Sequence, residues 1–420
     1  KLSGIRFDKD TIYVKVTDFK TKEQCGFELK SLTTYAKICS SQLLLNKLII
    51  KTPRTFIKGN VNLYYAEWGD YSDFVNKVKI KADLADVTQI ATQDISRFTS
   101  ELNGLNEMVY LSGKIRGYVN DLNLKEFKLK YGRHTRFDGN LTITGLPDFS
   151  TSFLHFEVDK LSTNYTDLIR IPNYPFTENK KLELPVELQR LGTISYKGKF
   201  DGFVTDFTTY GKFKTGLGNF ATQLSVKIGK KADDIAYHGK LQTTDFDIGT
   251  LFGISNFNSL TLNSEVKGKG VSLKSLDADV EGTILNINYN HYAYKNIKLN
   301  GNIKEKVFNG LLVSKDPNAD LDFNGNINFK NKVPEMDFIS TVNNLDLKKL
   351  HFTKDEAKIS TQILINLKGD NLNNLTGTIN FDDTKYTNNT KKLNISTFDL
   401  KLDQGTADKH LVINSNYFNL

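Results

Sequence analysis

Six histidines, two cysteines and scattered carboxylates are where reactive chemistry would have to reside in this 420-residue chain. Their spacing supports none. His134, His155, His238, His291, His351 and His410 stand apart from one another and from the cysteines, whereas metal sites need closely spaced pairs of such ligands. The stretch VKGKGVSL (266–273) offers Gly268 and Gly270 but no third glycine and no Lys-Ser/Thr pair, so it is no phosphate loop. No G-x-S-x-G nucleophile elbow occurs. Adjacent acids such as Asp382 and Asp383 sit in turn-like surroundings, and the sequons at Asn140 and Asn164 are expected by chance in so asparagine-rich a chain. Nothing here argues for an enzyme, a cofactor or a metal.

The chemistry that does recur is that of hydrocarbon. In DLDFNGNINFK (320–330), Leu321, Phe323, Ile327 and Phe329 fall on alternate positions, with polar residues between them. That period of two marks a strand with one oily and one wet face. Gly325 occupies the oily phase where another apolar side chain belongs. Gly113, Gly301 and Gly377 repeat the pattern, each two residues from an apolar neighbour on either side. Glycine inside a strand costs stability and marks a bend or a close approach by something else. Two compatible readings follow: the glycines let a wide sheet curl, and they clear space along an apolar trough for a guest.

Alternation of this kind runs almost end to end, as in Ile359, Thr361, Ile363, Ile365 and Leu367, separated by turn clusters such as KGD (368–370) and NFDD (380–383). Helical periodicity is scarce. The best stretch is 86–104, where Val87, Ile90, Ile95, Phe98 and Leu102 give an uneven stripe and a short turn of helix suffices. The expected fold is all-β: an elongated antiparallel repeat sheet curled into an open groove, with few short helices. At about 12–13 residues per strand and turn, it would hold roughly 33 strands, a sheet on the order of 150 Å long.

Internal similarity supports an array. LSGKIRGYVNDLNLKEFKL (111–129) resembles YKGKFDGFVTDFTTYGKFK (196–214), aligning Gly113 with Gly198 and Gly117 with Gly202. A short acidic or apolar tag also recurs, as ATQDISRF (91–98), STNYTDLIRI (162–171), QTTDFDIGTLFG (242–253) and VNNLDLKKL (342–350). Such spacing suggests stacked multi-strand units, roughly 1–110, 111–195, 196–258, 259–318 and 319–420, within one continuous segment. With so few helices, the apolar face must be covered by opposite walls or by an apolar ligand. Residues expected to line the groove are Leu321, Phe323, Ile327, Phe329, Ile363, Ile365, Leu375, Ile379 and Phe381.

Composition bounds the partners. Hydrophobic residues make up 39% and charged residues 25% of the chain, and no segment approaches the roughly 20 apolar residues that a membrane helix needs. The oiliest run, QLLLNKLII (42–50), is interrupted by Asn46 and Lys47. No charged-then-apolar leader is visible, so the chain reads as a mature or excised piece. The net charge of +8 comes from lysines spread singly over polar strand positions. That distribution describes a solvated face with weak attraction for anionic lipid headgroups, and argues against nucleic acid. Cys25 and Cys39 either pair across neighbouring strands or remain free buried thiols.

The succession 111–132, 145–168, 192–218, 237–253 and 316–338 (DPNADLDFNGNINFKNKVPEMDF) resembles the TamB family of translocation and assembly module subunits, in the Bacteroidota-type form. The resemblance implies the AsmA-like, bridge-type lipid-transfer group and a β-taco fold. It also implies a periplasmic location, anchored in the inner membrane by a segment not present here, and an outer-membrane Omp85-type partner docked through another region. The implied function is a periplasm-spanning groove that carries phospholipid between the inner and outer membranes. Two alternatives stand beside it. One is a scaffold that helps insert outer-membrane β-barrel proteins through an exposed sheet edge. The other is a transmembrane barrel, against which speak the flanking lysines and the lack of aromatic girdles.

Overall fold

A computed structural model describes residues 2–416 apart from 25, 174–175, 179, 232, 332, 370–373 and 405–408. It is all-β, 66% strand and 9% helix, with its strands in one 25-stranded antiparallel sheet. The chain divides into two compact units, Lys1–Leu184 with Leu191–Gly216, and Pro185–Arg190 with Leu217–Leu420.

The first unit begins with β1 (Leu2–Asp8), β2 (Thr11–Lys22), β3 (Glu28–Cys39), β4 (Gln42–Lys51) and β5 (Phe56–Tyr64). It continues with α1 (Phe74–Lys77), β6 (Lys79–Leu84), β7 (Gln89–Ala91), α2 (Thr92–Ile95), β8 (Met108–Tyr118) and β9 (Asp121–Tyr131). It ends with β10 (Thr135–Thr144), β11 (Phe153–Asn164), α3 (Tyr165–Leu168), β12 (Thr193–Phe203) and β13 (Asp206–Thr215). Sequence neighbours pair antiparallel, and β6 and β7 both pair with β5 and β8, acting as one interrupted strand.

The second unit holds β14 (Gly218–Ile228), β15 (Ile235–Asp247), α4 (Ile248–Phe252), β16 (Phe257–Lys269), β17 (Asp277–Tyr289) and β18 (Tyr292–Lys304). It goes on with β19 (Val307–Asp316), β20 (Ala319–Asn328), β21 (Glu335–Asp346) and β22 (Lys358–Lys368). The last strands are β23 (Thr376–Thr387), β24 (Lys392–Gln404) and β25 (Lys409–Ser415). Among the described residues the ladder runs from β14 to β25 without β25 returning to β14, so this unit is an open sheet.

One expectation needs correction. Among the described residues the strands number 25, not about 33, because many run to 11–13 residues and the connectors 65–78, 92–107 and 165–192 absorb the remainder. The stretch 86–104 holds the short turn of helix that its uneven stripe allows. Ile90 belongs to β7, α2 is a single turn, and Val87 and Phe98 are 56% and 71% exposed. The cysteine pair falls on Cys25, outside the described residues; Cys39 is a free, buried thiol.

The four recurring tags each form a stopper at a strand end: α2, the end of β11 with α3, the end of β15 with α4, and the turn 347–350 after β21. In each, an aspartate holds the bend. Asp94 accepts a hydrogen bond from Thr52 Oγ1 (2.6 Å). Asp167 accepts from the backbone N–H groups of His134 (2.7 Å) and Thr135 (2.8 Å) in the β9–β10 turn. Asp247 caps α4 by accepting from Thr250 N–H (2.8 Å), and Asp346 accepts from Lys349 N–H (3.2 Å). Asp247 and Asp346 bond backbone three residues on, the local contact by which short polar side chains end strands and start turns. Within the first unit, β7 and β11 run in the same direction, so α2 and α3 sit at the same sheet edge. Within the second, β15 and β21 run in the same direction, which puts α4 and the 347–350 turn at one edge.

Candidate functional site

Cross-strand register turns the alternation into continuous apolar rows on one face. In the second unit, Leu299, Leu312, Phe323, Ser340, Ile363 and Phe381 are successive partners across β18–β23. The next row joins Gly301, Gly310, Gly325, Phe338, Ile365 and Ile379. Of the residues expected to line a groove, Leu321, Phe323, Ile327, Ile363, Ile365, Ile379 and Phe381 share this face with Gly301, Gly325 and Gly377. Leu375 lies half-buried in the connector just before β23. Phe329 joins no row: β20 ends at Asn328, and the ring beyond it is 55% exposed. Gly113 lies in the first unit, opposite Leu84 and one row from Ile115, Leu124, Leu141, Phe156 and Phe200.

The gap at Gly325 is filled by protein. With φ +153°, it sits where a Cβ would overlap the Phe338 side chain and the Asp337 carbonyl of β21. A Cβ on Gly301 would come 2.6 Å from Asn309 O and 3.0 Å from the Gly310 Cα. Gly113 meets Glu126 O at 2.8 Å in the same way, and Gly377 meets Asn366 O. The missing side chains let adjacent backbones close on the inner face, which is how a sheet curls. Of the two readings of these glycines, close strand approach is the one whose geometry is visible.

A second curling device left no mark in the alternation. Lys47, Glu126 and Asp245 lie inside β4, β9 and β15 with φ near +50°, each at a register shift with the next strand. Each donates its N–H to a side chain on that strand: Lys47 to Asn60 Oδ1 (2.9 Å), Glu126 to Asn140 Oδ1 (3.0 Å), Asp245 to Thr261 Oγ1 (3.1 Å). A bulge leaves a residue out of the ladder and bends the strand; here a neighbouring side chain takes up the orphaned donor. Asn140, read as a chance sequon, is one of these clamps. Asn164, the other, accepts from Asp167 N–H (2.9 Å) as the cap of α3.

Burial grades across the face of the second unit. One row near the stoppered edge, Thr243, Leu262, Ile284, Ile297 and Ser314, is buried throughout. It contains the core cluster of Leu262, Ile284 and Ile297, packed by Leu260, Ile287 and Tyr294. Its Thr243 hydroxyl serves a bulge, as Thr243 Oγ1 donates to Leu260 O (2.9 Å) and accepts from Leu262 N–H (3.1 Å). The row at the opposite edge runs through Tyr237, Gly268, Ala278, Ile303, Phe308, Ile327 and Met336; Ala278 is buried and the others are half-buried. Burial still pushes the Tyr237 phenol up to about 12, so this row is an apolar setting.

The chain exposes 24549 Å² in all. A compact globule of its mass would expose about 16,000 Å², and two separate compact halves together about 20,000 Å². Among the described residues no group of His, Cys, Asp or Glu is arranged to hold a metal, and no helix is long and apolar enough to cross a membrane.

No protein-family model, curated protein or solved structure matches this chain. The site therefore rests on its own geometry: aligned apolar rows on an open, curled sheet. Such a surface can hold an extended apolar molecule by burial alone, with no polar group to fix it in one place.

Proposed function

We propose that the apolar face is a bed for phospholipid acyl chains, and that the protein carries phospholipid between the inner and outer membranes of a Gram-negative envelope. One observation carries the reading: aliphatic and aromatic side chains, with glycines and Ser340 among them, align in rows that are mostly half-buried, on a protein whose surface exceeds that of sealed domains. Each methylene laid on such a row gains about 0.8 kcal/mol, and neighbouring rows offer nearly equivalent seats, so a chain is held yet free to slide. The resemblance to the TamB family supports the same reading and supplies its setting, a periplasmic bridge with an Omp85-type partner. Organic extraction and mass spectrometry of the protein purified from membranes without detergent tests it. Co-purifying phospholipid, displaced by a charge on the face, is the expected result. Lipid-free protein that also fails to take up a fluorescent fatty acid overturns it.

A further inference from the structure

The two edges of the second unit are built differently, and the difference assigns a direction to whatever lies on its apolar face. At one edge the strand ends are closed. The short helix α4 sits there with Arg190 Nη1 donating to Leu251 O (2.7 Å), and the 347–351 turn reaches across to the β17–β18 turn. That reach is fixed by reciprocal contacts, Asn290 Nδ2 to His351 O (3.5 Å) and His351 Nδ1 to Asn290 O (3.3 Å). Leu350 in this turn is fully buried, and the adjacent row of the sheet is buried with it. Among the described residues, the opposite edge carries hairpin connectors within 229–234, 270–276, 305–306, 329–334 and 369–375, beside the row that is half-buried apart from Ala278.

Charge follows the same division. Counting each connector with two residues on either side, the open edge has nine lysines against five acids among the described residues, and the closed edge seven against six. Three open-edge lysines are matched: Lys304 with Asp277 (3.0 Å), Lys330 with Glu305 (2.8 Å) and Lys368 with Glu335 (2.8 Å). Lys230, Lys231, Lys274 and Lys306 are exposed and make no ion pair among the described residues. A cation two residues from Phe308, at the mouth of an apolar row, can reach a phosphate whose hydrocarbon lies on that row.

We propose that lipid lies on this unit with its tails toward the stoppered edge and its headgroup at the lysine edge, and that anionic phospholipids are preferred over zwitterionic ones. The inference rests on the conduit reading and adds to it a side and a headgroup class. Each lysine beside an anionic lipid is worth about fivefold in affinity. The test compares uptake from vesicles of phosphatidylglycerol and of phosphatidylcholine by the whole chain and by the triple variant Lys230→Glu, Lys231→Glu, Lys306→Glu. The control is a matched triple at the closed edge, Lys354→Glu, Lys391→Glu, Lys392→Glu. A phosphatidylglycerol preference of tenfold or more at low salt, lost in the first variant and kept in the control, is the expected result. A photoreactive headgroup should crosslink to the connectors 270–276 and 305–306. Equal uptake of both lipids, preference unchanged in the first variant, or crosslinking at 347–351 overturns the sidedness while leaving the conduit. Failure to take up either lipid overturns the conduit itself. Inorganic phosphate that competes as well as phosphatidylglycerol would show an anion site without hydrocarbon, and also overturns the proposal.

Discussion

Phe323→Glu puts a carboxylate in the middle of the apolar rows. The ring it removes is 9% exposed and lies 4.8 Å from Phe338 and 6.0 Å from Phe308, centroid to centroid. Losing its burial costs about 2 kcal/mol. A glutamate there has no cation on its face, since its cross-strand partners are Leu312 and Ser340, so the group becomes neutral rather than stay charged in apolar surroundings. Holding it protonated at pH 7 against an ordinary value near 4.3 costs about 4 kcal/mol. The total, about 6 kcal/mol, is comparable with the whole stability of many domains. The sign with pH is set by the raised folded-state value: the deficit is small near pH 4.3 and grows as pH rises toward that value. Urea unfolding of variant and parent, compared at each pH, should show a deficit shrinking from about 6 kcal/mol at pH 7 to about 3 kcal/mol at pH 5. Phe323→Leu, losing packing without charge, should show a small deficit independent of pH. A Phe323→Glu protein within about 1 kcal/mol of the parent at both pH values would mean that the face is wet, and the reasoning from the rows fails.

Other outcomes follow from the same geometry. Gly325→Ala should destabilise by more than about 2 kcal/mol, because the new methyl overlaps β21 backbone and the residue sits at positive φ; a neutral result in thermal unfolding would show that the strands do not close there. Asn140→Leu should cost about 1 kcal/mol by orphaning Glu126 N–H, visible as faster amide exchange at Glu126. Burial disfavours charge on Asp167, but hydrogen bonds from the N–H groups of His134, Thr135 and Arg133 outweigh it and hold its carboxyl below the usual range. Its stabilisation is therefore present above pH 4 and lost as pH falls through the lowered folded-state value, and Asp167→Asn should flatten that part of the acid unfolding profile. Burial pushes the phenols of Tyr237 and Tyr294 up to about 12; stability should drop between pH 10 and 12, where only the unfolded chain ionises, and phenolate absorbance should rise together with unfolding.

The strands and their shared face were legible because a period of two is a local property: Leu321, Phe323 and Ile327 declare their side by spacing alone. Phe329 obeys the same spacing and yet leaves the face, since β20 stops one residue earlier and nothing local marks that end. The bulges at Lys47, Glu126 and Asp245 were invisible for the opposite reason. Their left-handed backbone is stabilised by Asn60, Asn140 and Thr261, residues 13–16 positions away, and none of the three is a glycine. The stoppers stood out as repeated tags, but their pairing at one edge within each unit depends on counting strands, which needs the register. The uneven stripe over 86–104 gives no more than a short turn of helix, because apolar residues in a connector also come at irregular intervals.

The stoppers are separated by even numbers of strands: four, β8–β11, between α2 and α3, and six, β16–β21, between α4 and the 347–350 turn. An antiparallel ladder reverses at every step, so only an even interval returns the next closure to the same side. Such a protein can lengthen or shorten by whole hairpins without disturbing which side is shut. Gain or loss of a single strand would transpose every later closure and open the seam on the wrong side, so tolerated insertions in this architecture should come in pairs.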